Sequence, residues 1–171
     1  MHGYIQVYTG NGKGKTTASF GLALRAAGAG LKVYIAQFVK GMEYSELKSI
    51  QRFSDLIQLK QYGRRCFIHN DPAPEDFDAA RDALNELKHI ISSGTYHVVI
   101  LDEANIATYY NLISVDDLLA LLDVKPDHVE IIVTGRYAHE KLIERADLVT
   151  EMREIKHYYS QGIQARTGIE K

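Results

Sequence analysis

The stretch VYTGNGKGKTT, Val7 to Thr17, gathers Gly10, Gly12 and Gly14 with Lys13, Lys15, Thr16 and Thr17 in one turn. Residues of these types at this spacing suit the cradling of a polyphosphate. Successive backbone N–H groups of a glycine-rich turn converge on phosphate oxygens, the following helix presents its positive end, and a lysine neutralises charge. Here the glycines permit close backbone approach, Lys15 supplies the ammonium, and Thr16 is placed for Mg²⁺. The general pattern G-x-x-x-x-G-K-[ST] calls for glycine where this chain has Thr9. That departure leaves the glycine density and the Lys15–Thr16 pair intact.

A second group of candidates lies near residue 100. The run VVILDE is four apolar residues ending in Asp102 and Glu103, which reads as a strand carrying carboxylates at its carboxyl end. In open α/β sheets that end faces a phosphate-binding turn. Asp102 or Glu103 is therefore a candidate Mg²⁺ holder, direct or through water, or alternatively an acidic helix start. A further apolar run ends in TGR and brings Thr134 and Arg136 to the same rim. Arg136 is either a phosphate clamp or a surface ion-pair partner.

Positioning these side chains requires strands alternating with helices. YIQVYT, LKVYIAQF, LIQLKQY, HVVILDE, VEIIVTG and DLVTEM read as strands. Thr16 to Ala29 is apolar almost all round, which predicts a helix buried beside the sheet and ending at Gly28 and Gly30. Phe77, Ala80, Leu84, Leu87 and Ile91 recur on one helical face, with Gly94 as a stop, and Ser114 before VDDLLALLD reads as an N-cap with Asp117 completing a capping box. Gly63 to Asp76 lacks helical period and is either a connection or a lid. The predicted fold is α/β, of the three-layer P-loop NTPase-like (RecA-like) type, with a mainly parallel sheet, helices on both faces, and residues 1–171 forming one domain.

Composition narrows the partners. With 22 acidic and 20 basic residues the formal charge is −2, which leaves no overall positive field for nucleic acid or an anionic membrane. Cys66 is the one cysteine, so no intramolecular disulfide or zinc-spaced cysteine cluster is expected. The N-terminus lacks a signal-peptide pattern, and no run is long and apolar enough to span a membrane, so the expected location is the cytoplasm. None of this decides the reaction, because a P-loop serves kinases, motors, switches and other transferases alike.

Several stretches taken together go further. TGNGKGKTTASFGLALRAAGAG, QFVKG, VVILDEA, VTGRYAHEKLIERADLVTEMREIKH and the tail GIQARTGIEK resemble, in order and spacing, the P-loop family of ATP:corrinoid adenosyltransferases. The resemblance spans nearly the whole chain, and the Thr9 departure is shared with that family. It implies that a corrinoid reduced to cobalt(I) attacks the 5′ carbon of ATP and expels inorganic triphosphate, with ATP lying reversed in the cradle. It also implies an electron donor for cobalt reduction and a homodimer. Longer members carry an N-terminal helix ahead of the first strand, so closure over the corrinoid is expected to differ here.

Carried over residue by residue, the resemblance assigns Asn11, Gly12, Lys13, Gly14, Lys15, Thr16 and Thr17 to the triphosphate loop. Lys15, Thr16 and Glu103 are the implied catalytic residues, and Thr16, Asp102 and Glu103 the Mg²⁺ side. Arg25 matches a position near the nucleoside, or is a solvated helix arginine. Phe67 is similar to an apolar position in the corrinoid-facing loop, or plugs the core. His157 falls where the family approaches the corrin. Cys66 has no placed histidine and reads as inert.

Overall fold

The central runs Val33–Gln37, Val98–Asp102 and Glu130–Thr134 become strands buried on both faces, as helix-covered parallel sheets require, while the edge runs Ile57–Gln61 and Leu148–Glu151 stay partly or wholly exposed. The computed structural model describes residues 2–42, 44–63 and 72–171. Its strands are β1 (Ile5–Thr9), β2 (Val33–Gln37), β3 (Ile57–Gln61), β4 (Val98–Asp102), β5 (Glu130–Thr134) and β6 (Leu148–Glu151). They form one sheet in the order β3-β2-β4-β5-β1-β6. Every pairing is parallel, so all six carboxyl ends fall on one edge. Between the strand leading to the glycine-rich turn, β1, and the strand ending in Asp102, β4, lies β5.

Alternation along the strands sorts side chains into two layers. Val33, Ile35, Val98, Ile100 and Ile132 pack with Phe20, Ala23, Ala26 and Ala27 of α1 (Lys15–Gly28) and Ile50 of α2 (Ser45–Ile50). On the other face Tyr34, Ala36, Val99, Leu101, Ile131 and Val133 meet α3 (Pro74–Ser92), α4 (Ala104–Tyr109), α5 (Val115–Asp123) and α6 (Glu140–Arg145). The three-layer α/β expectation therefore holds, with the sheet wholly parallel rather than mainly so. Among the described residues no helix is long and apolar enough to cross a membrane.

Local signals explain where the helices begin and end. α1 closes in a Schellman arrangement: Gly30, at φ 77°, donates its N–H to Ala27, and Leu31 donates to Ala26. The expectation of burial all round is corrected. Only the face carrying Ser19, Phe20, Ala23, Ala26 and Ala27 is covered, while Leu24 is 47% exposed, because one sheet can cover only one side of a helix. In α3, Pro74 opens the first turn and the Asp76 carboxylate accepts from the Ala73 N–H at 2.9 Å. Ser114 caps α5 as read, accepting from the Asp117 N–H at 3.0 Å, while the Asp117 carboxylate accepts from the Ser114 N–H at 3.3 Å.

Candidate active site

The glycine-rich turn, residues 10–14, links β1 to α1 at the carboxyl edge of the sheet. Gly10 and Gly14 have φ of 92° and 118°, a region that favours glycine. Gly12 is needed for a different reason. Its N–H donates to the Met152 carbonyl at 2.7 Å, and a Cβ there would lie 2.7 Å from that same oxygen. The chain leaving β6 thus forms one wall of the turn. Lys15 is buried and donates from Nζ to the carbonyls of Gly10 and Gly12, both at 2.7 Å. Burial pushes its pKa down, and the Arg136 charge acts in the same direction, against Glu103 and Asp102. The amides of Lys15, Thr16 and Thr17 open a 14-residue helix and have no partner one turn back. A loop of this shape with a free helix start is suited to hold an anion.

Asp102 is the electrostatic centre of the rim. It ends β4, is fully buried, and stands in register with Gln37 at the end of β2. Its Oδ1 accepts from Thr16 Oγ1 at 2.9 Å and from Thr134 Oγ1 at 2.7 Å. Its Oδ2 accepts from Lys40 Nζ at 2.8 Å and Gln37 Nε2 at 3.1 Å. Burial alone would raise its pKa. The Lys40 charge and the hydrogen bonds from Lys40, Thr134 and Thr16 outweigh that and hold it below the ordinary aspartate value.

Glu103 stands in the opposite situation. It caps α4 with left-handed backbone at φ 60°, and its N–H donates to Thr134 Oγ1 at 3.1 Å. Its carboxylate accepts no hydrogen bond among the described residues. Burial, and then the neighbouring Asp102 charge, push its pKa up, against Lys40, Lys15 and Arg136. A carboxylate with spare acceptor capacity beside an ionised one is suited to receive a cation or a hydroxyl.

Backbone strain collects along this same edge. Val39, Glu103 and Tyr137 are non-glycine residues at φ 49°, 60° and 60°, each lying just past the end of β2, β4 or β5. Such conformations cost about 1–3 kcal/mol each and persist where the surroundings over-determine them.

The site fits a Mg²⁺ ion. Thr16 and Asp102 offer hard oxygens 2.9 Å apart, and the Lys40 ammonium already sits where a positive charge meets both. Among the described residues no cluster of three or more His, Cys, Asp or Glu could hold a metal alone. Mg²⁺ bound with phosphates needs no such cage, since it takes one or two protein oxygens and fills its shell from phosphate and water.

The expected residues are placed as follows. Apart from the Lys13 side chain, Gly10 to Thr17, Asp102, Glu103 and Thr134 are brought together, and Arg136 is exposed on the rim beyond β5, close enough for its charge to act on Lys15 and Glu103. Lys13 turns away from the cradle: its Nζ donates to Glu170 at 2.6 Å, and to the Tyr158 hydroxyl and the Ile169 carbonyl at 3.1 Å each. His157 begins the short turn holding Tyr158 and accepts through Nδ1 from the Tyr159 N–H at 3.0 Å. Arg25 lies exposed in the last turn of α1, ten residues or about 15 Å along the helix from Lys15, and the fold does not bring it to the cradle. Phe67, with Cys66 and His69, lies outside the described residues.

A model of the family described as ATP:corrinoid adenosyltransferase BtuR/CobO/CobP matches residues 1–170. The chain belongs to the ATP:corrinoid adenosyltransferase family. A corrinoid adenosyltransferase of Sinorhizobium sp is 39% identical over 98% of this chain and 80% of its own length. Those of Escherichia coli K12 and Salmonella typhimurium are each 34% identical, over 98% of this chain and 85% of theirs. Within this adenosyltransferase, sequence reasoning missed Lys40 and Gln37 as members of the site. The signal was present in QFVKG, where a polar residue ends an apolar strand and a lysine follows three residues later.

Proposed function

We propose that this adenosyltransferase joins the 5′-deoxyadenosyl group of ATP to the cobalt of a reduced corrinoid and releases inorganic triphosphate. The observation that carries the reading is the Lys15–Thr16–Asp102 constellation, with Lys15 and Asp102 buried, at the mouth of a glycine-rich turn in a chain of this family. Cobalt(I) donates its electron pair to C5′ while the C5′–O5′ pair departs with the triphosphate. The metal centre is the nucleophile, so no protein base is needed. The protein's task is to orient the two substrates and stabilise charge on the leaving group.

In this reading Lys15 and the first amides of α1 bind the triphosphate, with Asn11, Gly12, Lys13, Gly14 and Thr17 shaping the loop. Thr16, Asp102 and Glu103 would hold Mg²⁺, which when bound supplies further neutralisation of the triphosphate. Arg136 closes the rim. Arg25 is assigned to the nucleoside, and Phe67 and His157 to the corrinoid, on family resemblance. The same resemblance supports a homodimer, an external electron donor for cobalt and a cytoplasmic location.

The test is to incubate the full chain with Mg-ATP, a corrinoid and a strong reductant. One adenosylated corrinoid and one intact triphosphate per turnover are expected. ADP released in proportion to ATP consumed, with the cobalt unalkylated, would overturn the proposal.

A further inference from the structure

Lys40 reaches the centre of the site from a segment that the fold positions by several separate devices. Its Nζ lies 2.8 Å from Asp102 Oδ2 and 3.2 Å from Thr16 Oγ1, and its side chain is 13% exposed. Val39, the residue before it, is β-branched and sits at φ 49°, an outlier for that residue type. The Phe38 N–H donates to the Asp102 carbonyl at 2.9 Å, tying the segment to β4. On the other side Gly63 donates to the Lys40 carbonyl at 3.1 Å, and a Cβ at Gly63 would lie 2.2 Å from the Lys40 nitrogen. The Tyr44 ring, 5.5 Å from Nζ, completes the surround. Strain before the residue and a glycine-only approach beside it indicate that its location is specified, not incidental.

Asp102 already has Thr16, Thr134 and Gln37 as donors, so the lysine is not required to satisfy its oxygens. It contributes a charge at the point touching both Thr16 and Asp102. We propose that Lys40 is a positioning residue, a tethered cation that keeps Thr16 and Asp102 arranged for a divalent ion and yields that place when the ion binds. The inference rests on the assignment of Thr16 and Asp102 to the Mg²⁺ side made above. It adds a residue that acts through those two and that competes with the metal in the nucleotide-free protein.

The test uses the full chain and Mn²⁺ as the probe, with free Mn²⁺ followed by electron paramagnetic resonance. Without nucleotide, Lys40→Met is expected to bind Mn²⁺ at least about five-fold tighter than wild type, the lower end of the coupling expected between mutually exclusive occupants. Mn²⁺ is then also expected to raise its melting temperature more than that of wild type. Lys40→Arg, which keeps the charge, is expected to bind as weakly as wild type. Folded Lys40→Met binding no tighter than wild type overturns the proposal.

Should Lys40→Met fail to fold, the wild-type chain decides. Labelling of Lys40 by acetic anhydride, read by mass spectrometry, is expected to rise on adding Mn²⁺ while that of Lys125, whose Nζ donates to the Gly3 carbonyl at 2.8 Å, stays constant; an unchanged Lys40 signal overturns the proposal. The underlying metal assignment fails separately. In that case wild type with ATP would take up no Mn²⁺ beyond what ATP alone holds.

Discussion

Glu103→Gln is expected to make the nucleotide-free protein more stable and the enzyme slower. The carboxylate is half-buried, accepts no hydrogen bond among the described residues, and stands beside the ionised Asp102. Its pKa is raised by burial first and by Asp102 second. A carboxylate whose folded pKa exceeds its unfolded value disfavours folding. The penalty starts as pH rises past the unfolded value and is complete above the folded one. At pH 7.5, above the unfolded value, the raised pKa therefore counts against folding, offset in part by the Lys40, Lys15 and Arg136 charges. Glutamine keeps the shape and removes the charge. The gain is set at about 1 kcal/mol, in the middle of the range for relieving a strained functional site, which for 171 residues is about 2–4 °C in Tm. Thermal unfolding at several pH values is the assay. The two melting curves are expected to converge below about pH 4, where glutamate is protonated folded or unfolded. Turnover is expected to fall about 10–100-fold, as for residues supporting a metal. A Glu103→Gln protein less stable than wild type at pH 7.5, or a difference independent of pH, would refute the reasoning.

Gly12→Ala puts a Cβ 2.7 Å from the Met152 carbonyl and 2.9 Å from the Arg153 backbone. It is expected to cost about 1–3 kcal/mol and to weaken ATP binding, both measurable by melting with and without nucleotide. Asp102→Asn removes the counter-charge of Lys40 and is expected to cost about 1.5–3 kcal/mol for the lost charge-assisted bond, read by urea unfolding at neutral pH. Because the folded pKa of Asp102 is depressed, its contribution is present above the unfolded value and lost as pH falls through the folded one. The variant should therefore lose less stability than wild type on acidification below about pH 4.

The central strands were legible because burial on both faces writes β2, β4 and β5 as short continuous apolar runs, each ending in a turn former or a polar residue, whereas the edge strands β3 and β6 are only partly buried or exposed. Lys15, Thr16, Asp102 and Glu103 were legible for a related reason: each closes or follows such a run at a spacing tied to the backbone. α2, α4 and α6 were not read, since six residues apiece are too few to display a helical period. Lys40 and Gln37 escaped because QFVKG marks only a polar strand end and a nearby lysine, whereas their convergence on Asp102 depends on β2 pairing with β4, which sets Gln37 opposite Asp102. The partner of Lys13 is likewise remote. Glu170 lies 157 residues away, and Arg166, Lys13 and the Tyr158 hydroxyl hold its carboxyl well below the ordinary range, so a loop lysine that reads as a phosphate ligand is tied to the C-terminal segment. α1 was over-read because alanines and glycines look apolar on every face, whereas the sheet covers one.

The central claim is that the cradle holds a leaving group while the bond breaks on the sugar side. It is tested most directly with ATP carrying ¹⁸O at the oxygen bridging C5′ and the α-phosphorus, turned over with reduced corrinoid and analysed by mass spectrometry. The account predicts that all of the label appears in intact triphosphate, in one-to-one ratio with adenosylated corrinoid. Label retained in ADP or adenosine would contradict it.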